Sequence, residues 1–449
     1  MIRALKFGGT SVGSGDAMER TAAIIMNEDG ERAVIVSAMS GVTNQLIAMM
    51  KDPPVCATMD ALREKHVAAL RGRVSTERLG IFTERLDLRL DELGKLLALY
   101  HAREDQIMFQ DAISSWGERL SSLALAELLQ SKGQSSDALT AEEAGIVATG
   151  LPGNGTADLA ATSINLKQRV LPLMRDGCVP IITGYYGVSD GRPLTFGRGG
   201  SDYSGAVLGH GLDADVIEIW TDVDGFMTAD PRIVPNAHVL AEMDYGEAAE
   251  LAYFGAKVLH PRTIEPARKK GIPVWVKNTF NPEAKGTRIH NIKTPSKHLL
   301  RSVAMKSDLA IVKFYSSEIA YQPALITKLL EDISLTGVTL YAVSTSLSTL
   351  AIAVPVQFAR EIKEAVHVGE DVEKVTVKED VTLICAVGDS MLQSCGVSAK
   401  VFSVAAGVGA NIELISEGAS DVALNFVVPT EKAVELVKKL HDRYIGGSK

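Results

Sequence analysis

A lysine beside a pair of glycines stands near the start of the chain, in the run Lys6-Phe7-Gly8-Gly9-Thr10. The run follows a short apolar stretch and precedes an amphipathic pattern that begins near Asp16, so it predicts a strand, a turn and a helix. Glycine allows the backbone to approach a ligand closely, and the amides of such a loop point at an anion. The run is therefore consistent with a phosphate cradle and, equally, with a solvated lysine followed by an ordinary glycine turn.

A second glycine-rich run, Gly197–Asp202, precedes another predicted helix. Glycines and a serine before a helix N-terminus favour an anion site, and Arg198 has the two-pronged geometry that holds a carboxylate or a phosphate. Asp202 would oppose an anion unless it faces a metal or a lysine. Arg198 and Asp202 together indicate a site that binds both negatively and positively charged groups. The alternative is a polar turn with a capping Ser or Asp, which explains the aspartate but not the arginine and three glycines.

Glu118 lies in a segment, 111–130, whose apolar residues recur at helical spacing and predict one helix. The other side of this helix carries small residues, chiefly serines, around the Glu118 carboxylate. A solvated helix face is normally richer in lysine and glutamate. We therefore predict that Glu118 is buried or faces a ligand; the alternative is the commoner surface glutamate.

Thr221 and Asp222 end another apolar run, and Arg232 and Lys257 supply further cations downstream. Together with Lys6 they fit a polyphosphate such as ATP, whose transferred group needs charge neutralisation and positioning more than covalent help. The sequence has no Gly-x-x-x-x-Gly-Lys-Ser/Thr motif, which excludes a P-loop enzyme, and no clean Gly-x-Gly-x-x-Gly after a strand, which disfavours a dinucleotide-binding Rossmann domain. Signatures of serine hydrolases, zinc proteases and protein kinases are also absent.

The elements that would position these residues alternate between strand and helix. Short apolar runs at 33–36, 179–183, 215–220 and 274–276 predict strands, and helical patterns separate them. This alternation predicts an α/β fold with a largely parallel sheet sandwiched by helices. Since ligands bind beyond the carboxyl ends of parallel strands, the glycine-rich and polar runs are expected to share one edge of the sheet.

Composition narrows the classes of function. The 449 residues suffice for two or three domains, and the net charge of −9 without a basic stripe argues against a nucleic-acid partner. No apolar run approaches the ~18 residues of a transmembrane helix, and Lys6 with its glycines interrupts any signal-peptide core. The four cysteines have no metal-binding or redox spacing. We therefore expect a cytoplasmic protein with no membrane partner and no metal held by protein side chains alone.

The last third of the chain contains an internal repeat. After a polar stretch at 281–297 that is typical of a linker, the pattern of 309–355 recurs at 383–429. Each copy predicts the same order of strands and helices over about 70 residues. Two such modules indicate a binding or assembly unit; a chance likeness of two unrelated α+β pieces is the alternative.

Seven motifs resemble those of the aspartokinases, and the resemblance covers essentially the whole chain. In order they are Lys6–Ser11, Ser37–Asn44, Ser115–Ser121, Phe196–Ser204, Trp220–Gly225, Thr228–Arg232 and Phe254–Pro261. The resemblance implies an amino-acid-kinase fold in residues 1–295, followed by two α+β, ferredoxin-like ACT modules. It also implies that the first module, 308–378, is inserted into the second, which comprises 299–307 and 379–449.

The reaction of this family is phosphorylation of the L-aspartate side-chain carboxylate by ATP with Mg²⁺, the first step of lysine, threonine and methionine biosynthesis. The resemblance implies that the catalytic groups are Lys6, Asp202 and Lys257. It implies that the substrate is bound by Ser37, Thr43, Glu118, Arg198 and Ser201. In this set Glu118 contacts the α-ammonium of aspartate and Arg198 contacts its α-carboxylate. For ATP it implies Lys6, Gly8, Gly9, Thr10, Thr221, Asp222, Met227, Arg232 and Lys257.

Two departures from the family pattern concern the nucleotide and the effector. Met227 stands where many relatives have tyrosine, so the contact with the base or sugar of ATP is expected to differ. Tyr315–Pro323 in the first module lacks the glycine-rich loop with which ACT modules seat an amino acid, whereas Val387–Gly396 in the second keeps more of it. We therefore expect weak feedback inhibition by an amino-acid effector, lysine or threonine. The resemblance also implies a homodimer or tetramer, with no homoserine dehydrogenase domain within the 449 residues.

Two alternatives stay open. A related kinase acting on acetylglutamate, glutamate or UMP would share the fold, but the Glu118 and Arg198 pair and the C-terminal repeat favour aspartate. A catalytically silent amino-acid sensor would keep both parts of the chain, but intact Lys6, Asp202 and Lys257 argue against it.

Overall fold

The computed structural model describes residues 1–52, 56–255, 258–292, 298–366, 371–388, 391, 394–418 and 420–446. Lys257, one of the predicted catalytic groups, therefore lies outside the described residues. The chain divides into two compact units. The first comprises Met1–Phe226, Ala241–Tyr245 and Val258–Ile292, and the second comprises Met227–Leu240, Gly246–Lys257 and Lys293–Lys449.

The first unit combines a large sheet, two small hairpins and a set of helices. Its strands are β1 (Ile2–Phe7), β2 (Glu31–Val36), β3 (Ser136–Leu139), β4 (Ala148–Leu151), β5 (Asn154–Ala157), β6 (Val179–Thr183), β7 (Tyr186–Ser189), β8 (Arg192–Thr195), β9 (Val216–Thr221), β10 (Glu242–Asp244), β11 (Val274–Asn278) and β12 (Thr287–His290). Its helices are α1 (Gly15–Asn27), α2 (Val42–Lys51), α3 (Cys56–Leu70), α4 (Thr76–His101), α5 (Ile107–Ser114), α6 (Trp116–Ser131), α7 (Ala141–Ala144), α8 (Leu159–Arg169), α9 (Leu171–Arg175), α10 (Gly200–Gly211) and α12 (Ile264–Lys270); α11 (Tyr245–Phe254) belongs to the second unit except for Tyr245.

β1 lies near the centre of an eight-stranded sheet with the order β10-β12-β11-β9-β1-β2-β6-β3. Within the described residues β11 and β12 pair antiparallel, and every other neighbouring pair of this sheet is parallel. The last four residues of both β1 and β2 are buried, as expected for parallel strands that are covered on both faces. The predicted α/β fold with a largely parallel sheet is confirmed.

The single helix predicted at 111–130 is in fact two helices. α5 ends at Ser114 and α6 begins at Trp116, because the ψ angle of −4° at Ser115 interrupts the helical ladder. The first N–H groups of a helix have no partner within it, and the break gives α6 its own set of them. The break therefore places Glu118 in the first turn of a helix rather than in the middle of one.

Two glycines let α10 lie directly on the central strands. A Cβ atom at Gly205 would stand 2.8 Å from the Lys6 Cβ, and one at Gly209 would stand 2.3 Å from Cγ1 of Ile217. Both distances are far below van der Waals contact, so only glycine fits without a shift of strand or helix. This close approach brings the first turn of α10 to the end of β1.

Gly205→Ala is expected to lower the free energy of unfolding by about 1–3 kcal/mol, since the added methyl group overpacks the contact with Lys6. Urea unfolding and turnover measure the effect, and we expect turnover to fall as well because Lys6 must move. Gly80→Ala in α4 is the matched control, since a Cβ there meets nothing within 4 Å. The control is expected to gain about 0.5–1 kcal/mol. Equal effects of the two changes would contradict this account of α10.

The second unit is built on a six-stranded sheet with the order β14-β15-β13-β16-β18-β17. Its strands are β13 (Ser302–Tyr315), β14 (Ala342–Thr345), β15 (Thr349–Pro355), β16 (Lys374–Val387), β17 (Leu414–Ser416) and β18 (Ala423–Pro429). Its helices are α13 (Pro323–Ser334), α14 (Val356–Ala365), α15 (Val397–Gly407) and α16 (Thr430–Tyr444). Among the described residues of the whole chain, no helix is long and apolar enough to cross a membrane.

Two long strands, β13 and β16, pair with each other along their length and join the two halves of this sheet. Ser302–Lys306 of β13 pairs with Leu383–Val387 of β16, beside β18, whereas Leu309–Tyr315 of β13 pairs with β15 and with the earlier part of β16. Asp308 and Asp380 lie at the change of register with φ angles of 60° and 57°. Aspartate tolerates this left-handed region better than most residues, so both long strands bend there.

Residues 227–240 pack into the second unit although they follow directly on the first. The Met227 carbonyl accepts a hydrogen bond from the Ser302 hydroxyl at 2.9 Å, and the Thr228 carbonyl accepts one from the Val303 amide at 2.9 Å. The Thr228 hydroxyl also lies 3.0 Å from Nε2 of His441, which is buried in α16. The boundary of this compact unit therefore differs from the sequence-based boundary at residue 295.

Candidate functional site

A cleft of about 440 Å³ lies beyond the carboxyl ends of β1, β2 and β6. This is the edge at which a parallel α/β sheet binds ligands. The cleft brings together eight of the residues that the sequence singled out, from four separate segments: Lys6, Gly9, Ser37, Thr43, Glu118, Arg198, Ser201 and Asp202.

Lys6 and Asp202 form an ion pair at the floor of the cleft. Lys6 Nζ stands 2.5 Å from Oδ1 of Asp202, and the two side chains are 7% and 17% exposed. β1 supplies the lysine and the first turn of α10 supplies the aspartate. The aspartate holds a nearly buried ammonium group in one place, so the cleft contains a fixed positive charge next to its counter-ion.

Glu118 presents a buried carboxylate with one oxygen unpaired. The residue is 3% exposed, and its Oε1 accepts a long hydrogen bond of 3.5 Å from the Ser201 hydroxyl. Its Oε2 has no hydrogen-bond partner in the described part of the chain. Burial raises the pKa of this carboxyl to about 8, although backbone hydrogen bonds at Ala38 and Glu118 oppose the rise. A cation that enters the cleft can satisfy the free oxygen and stabilise the ionised form.

Arg198 stands in an exposed loop between two glycines that adopt left-handed backbone conformations. The φ angles are 72° at Gly197 and 71° at Gly199, and a Cβ at Gly199 would lie 2.2 Å from the Cβ of His260. Only glycine fits at position 199. Within the residues that the structure describes, the guanidinium of Arg198 has no ion-pair partner, so it is available to an anionic group of a ligand.

The loop after β2 is tied down on both sides. The Ser37 amide donates to the Phe7 carbonyl at 3.1 Å, and the Ser37 carbonyl accepts from the Ser121 hydroxyl at 2.7 Å. Further along the loop, the Ser40 amide donates to the Gly9 carbonyl at 3.2 Å, and Lys65 donates to the Ser40 carbonyl at 2.7 Å. These bonds leave the side chain of Ser37 at the cleft.

The glycine loop after β1 offers fewer free amides than the sequence suggested. The Gly8 amide donates to the Trp220 carbonyl at 3.1 Å, so it is already engaged. The amides of Gly9 and Thr10 have no acceptor among the described residues, and Gly9 lines the cleft. Of the three predicted residues of this loop, Gly9 and Thr10 therefore keep amides available for an anion, and Gly8 does not.

The predicted nucleotide residues after β9 are divided between the two compact units. Thr221 and Asp222 follow β9, which pairs with β1, and Thr221 donates to the Asp222 carboxylate at 3.3 Å. Met227 and Arg232 belong to the second unit, where Arg232 is exposed and paired with Asp230 at 2.6 Å. Their roles, like that of Lys257, stay predictions.

Comparison with known proteins identifies the family to which this chain belongs. The model of the amino acid kinase family matches residues 1–278, and a model of the ACT domain matches residues 384–444. The chain is 32% identical to lysine-sensitive aspartokinase 3 of Escherichia coli over 97% of both chains. It is 31% identical to the chloroplastic aspartokinase 2 of Arabidopsis thaliana over 98% of this chain and 84% of that one. The chain belongs to the aspartokinases.

Solved aspartokinase structures agree with this assignment. The structure of Escherichia coli aspartokinase III in complex with aspartate and ADP matches this chain with a TM-score of 0.84 at 30% identity. The match covers 98% of this chain and 99% of that one. The same enzyme in complex with lysine and aspartate gives 0.83, again at 30% identity, with 99% of each chain covered. The aspartokinase resemblance and the predicted fold with its ACT modules are confirmed.

Sequence reasoning missed two residues that shape this aspartokinase cleft or the loop beside it. Tyr185 lines it with a φ angle of 77°, which is uncommon for a residue other than glycine. Asp111 is buried and accepts hydrogen bonds from the Gly153 amide and from both the amide and the hydroxyl of Thr195. It thereby anchors the end of β8, just before the Arg198 loop. Tyr185 belongs to none of the seven motifs, and Asp111 entered the sequence analysis only as the first residue of a predicted helix, so neither was marked as part of a site.

Proposed function

We propose that this chain transfers the terminal phosphoryl group of ATP to the side-chain carboxylate of L-aspartate, which yields 4-phospho-L-aspartate and ADP. The observation that carries the proposal is that the Glu118 carboxylate, whose Oε2 has no partner among the described residues, lies in one cleft with Lys6 and the Arg198 guanidinium. A zwitterionic amino acid needs one anionic and one cationic partner, and a transferring phosphoryl needs a further cation.

The roles follow from charge. Glu118 takes the α-ammonium of aspartate, Arg198 takes its α-carboxylate, and Ser37, Thr43 and Ser201 lie along the remaining wall of the cleft. The side-chain carboxylate of the substrate is then the group left free to react, in the same cleft as Lys6.

No general base is required for the transfer. A free aspartate side chain has a pKa of about 3.9, so the nucleophile is already ionised at neutral pH. The difficulty is the repulsion between a carboxylate and a polyphosphate. Lys6 meets it by stabilising the negative charge that spreads over the phosphoryl oxygens in the transition state, and Asp202 keeps the lysine in position.

Mg²⁺ fits this site as an ion carried by the nucleotide. Within the described ranges no group of three or more His, Cys, Asp or Glu side chains is arranged to hold a metal. Mg²⁺ commonly binds through substrate phosphates with only one or two carboxylates. Bound in this way it would neutralise phosphate charge. On the nucleotide side we assign Thr221, Asp222, Met227, Arg232 and Lys257, on the aspartokinase pattern of their motifs.

A hydroxamate assay tests the proposed substrate. The protein is supplied with ATP, Mg²⁺ and aspartate, glutamate or acetylglutamate in parallel, and the acyl phosphate is trapped as its hydroxamate. We expect product with aspartate only. Product with acetylglutamate or glutamate would assign the chain to a related kinase, and no product with any of them would favour an amino-acid sensor.

Arg198→Ala is expected to raise the KM for aspartate by at least about tenfold, because it removes a two-pronged partner of the α-carboxylate. Turnover at saturating aspartate and the KM for ATP should change less. Arg192→Ala, an exposed arginine of β8 outside the cleft, is the matched control. An unchanged KM for aspartate in Arg198→Ala would remove Arg198 from the substrate site.

We also propose that the second unit contains two ACT modules, with 308–378 inserted between 299–307 and 379–449. The two halves of the β13 and β16 ladder support this division, because each half is flanked by a different pair of strands and its own helices. In family terms such modules bind an amino-acid effector, here lysine or threonine, and pair into a homodimer or tetramer.

The loop of the first module is closed by its own polar groups. The Ser316 hydroxyl accepts from the Glu318 amide at 3.2 Å, the Ser317 amide donates to Glu373 at 3.1 Å, and Gln322 donates to Glu318 at 2.8 Å. The corresponding loop of the second module falls partly outside the described residues. A loop whose polar groups already pair internally has few to offer an amino acid.

We therefore expect lysine and threonine to raise the KM for aspartate by less than about fivefold, which is the lower end of typical allosteric couplings. Titration of each effector at a fixed, sub-saturating aspartate concentration measures this. A tight response to a single effector would show that a functional effector site survives in these modules.

A further inference from the structure

Two residues that line the cleft are each followed by a residue that belongs to a shared, half-buried network. Glu118 is followed on α6 by Arg119, and Tyr185 is followed on β7 by Tyr186. The first member of each pair contacts the cleft, and the second meets Glu142 of α7. One network therefore connects the backbone next to both of these cleft residues.

The contacts in this network are short and cover three elements. Arg119 Nη2 lies 2.5 Å from Oε1 of Glu142, and the Tyr186 hydroxyl donates to the other oxygen, Oε2, at 2.8 Å. The Arg119 guanidinium also lies 5.4 Å from the ring centre of Trp116 and 5.2 Å from that of Tyr186. Both carboxylate oxygens of Glu142 are thus used, and the guanidinium is packed between two aromatic rings.

Charge and anchoring make this network rigid. Burial alone would raise the pKa of the Glu142 carboxyl, but Arg119 and the Tyr186 hydroxyl outweigh it and lower the pKa. Glu142 therefore stays ionised and paired. α7 is itself fixed by a capping box between Thr140 and Glu143, and by the Ala141 amide, which donates to the Thr183 hydroxyl at the end of β6.

We propose that Arg119, Glu142 and Tyr186 are positioning residues that hold Glu118 and Tyr185 at the cleft and so set the affinity for the ammonium end of the amino-acid substrate. The inference rests on the proposed function. Arg119 fixes the rotation of the first turn of α6, on which Glu118 depends. Tyr186 fixes the strand that follows Tyr185, whose left-handed backbone conformation needs an external hold.

Glu142→Gln and Tyr186→Phe test the proposal, with Glu127→Gln as the matched control. Like Glu142, Glu127 pairs with an arginine, Arg78, at 2.7 Å, but it lies in α6 itself, is more deeply buried than Glu142 and does not line the cleft. We expect the KM and the dissociation constant for aspartate to rise about tenfold in Glu142→Gln, as for other outer contacts that orient a binding group. The KM for ATP should stay within about twofold, and Glu127→Gln should leave both constants unchanged.

The outcomes are distinct from one another. A rise in the KM for aspartate in Glu142→Gln and Tyr186→Phe, with an equal loss of thermal stability in all three variants, supports positioning. Unchanged aspartate affinity in a folded Glu142→Gln, or an equal rise in the control, overturns it. If Glu142→Gln does not fold, Tyr186→Phe decides, because it removes a single hydroxyl. A wild-type protein that does not phosphorylate aspartate refutes the proposed function instead.

Discussion

Replacing Lys6 by alanine is expected to lower turnover by about 100-fold or more, since removal of one preorganised charge from a transition-state site typically costs this much. Lys6 is nearly buried, and its ammonium lies 2.5 Å from Asp202 at the floor of the cleft. Among the residues that line the described cleft the other cation is Arg198, which we assign to the α-carboxylate of aspartate. The change also leaves Asp202 without its counter-ion, where it would repel the phosphates of ATP.

Steady-state rates at saturating ATP and aspartate measure this effect. The matched control is Lys167→Ala, because Lys167 also pairs with an aspartate, Asp213, but on the surface. Exposed ion pairs contribute little, so the control should keep its turnover. Near-normal turnover of Lys6→Ala would remove Lys6 from the catalytic groups.

Glu118→Gln is expected to raise the KM for aspartate by roughly 100-fold, because truncation or neutralisation of one partner in a buried charge pair costs about 2–5 kcal/mol. Glutamine keeps the shape of the side chain and the contact with Ser201, so the loss reports charge rather than packing. Direct binding of aspartate by calorimetry would show the same ratio. A change of less than about twofold would contradict the assignment of Glu118 to the α-ammonium.

The same residue predicts a pH dependence. Burial raises the pKa of Glu118 to about 8 in the free protein, and the substrate ammonium binds the ionised carboxylate. kcat/KM for aspartate should therefore rise with pH until it levels off above about 8, and Glu118→Gln should lack this rise. A flat wild-type profile between pH 6.5 and 8 would contradict the mechanism.

The raised pKa of Glu118 also predicts how the stability of the fold changes with pH. The carboxyl ionises near pH 4.5 in the unfolded chain and near 8 in the folded one, so the fold loses stability as the pH rises across this interval. The glutamine in the Glu118→Gln variant does not ionise, so this variant should lose less stability than the wild type between pH 4.5 and pH 8. Thermal unfolding at pH 5 and pH 8 compares them.

The sequence was sufficient for the fold class because the main signals are local. Apolar runs such as Ala33–Val36 mark strands that are buried on both faces, and a glycine pair next to Lys6 marks a turn. The C-terminal repeat was likewise visible, since two modules of one architecture bury residues in the same pattern. These features depend on periodicity and residue type, which a linear chain displays directly.

The helix break at Ser115 and the packing of residues 227–240 into the second unit were not predictable in this way. A ψ angle near 0° at one serine leaves the apolar periodicity of 111–130 unchanged. The contacts of Thr228 with Val303 and His441 join residues that are far apart in sequence. In both cases long-range packing overrides a local pattern.

By itself, then, the sequence determined the chemical types at the site, since Lys6, Glu118, Arg198 and Asp202 each stand beside glycines or small residues that permit close approach. Only the tertiary structure decided that they share one cleft. Pairing of strands far apart along the chain places the loops after β1 and β2 at one edge, and the packing of α6 and α10 on these strands adds Glu118 and Asp202. The ion pair of Lys6 and the raised pKa of Glu118 likewise arise from burial by distant residues, and desolvation is a property of the folded volume rather than of any motif.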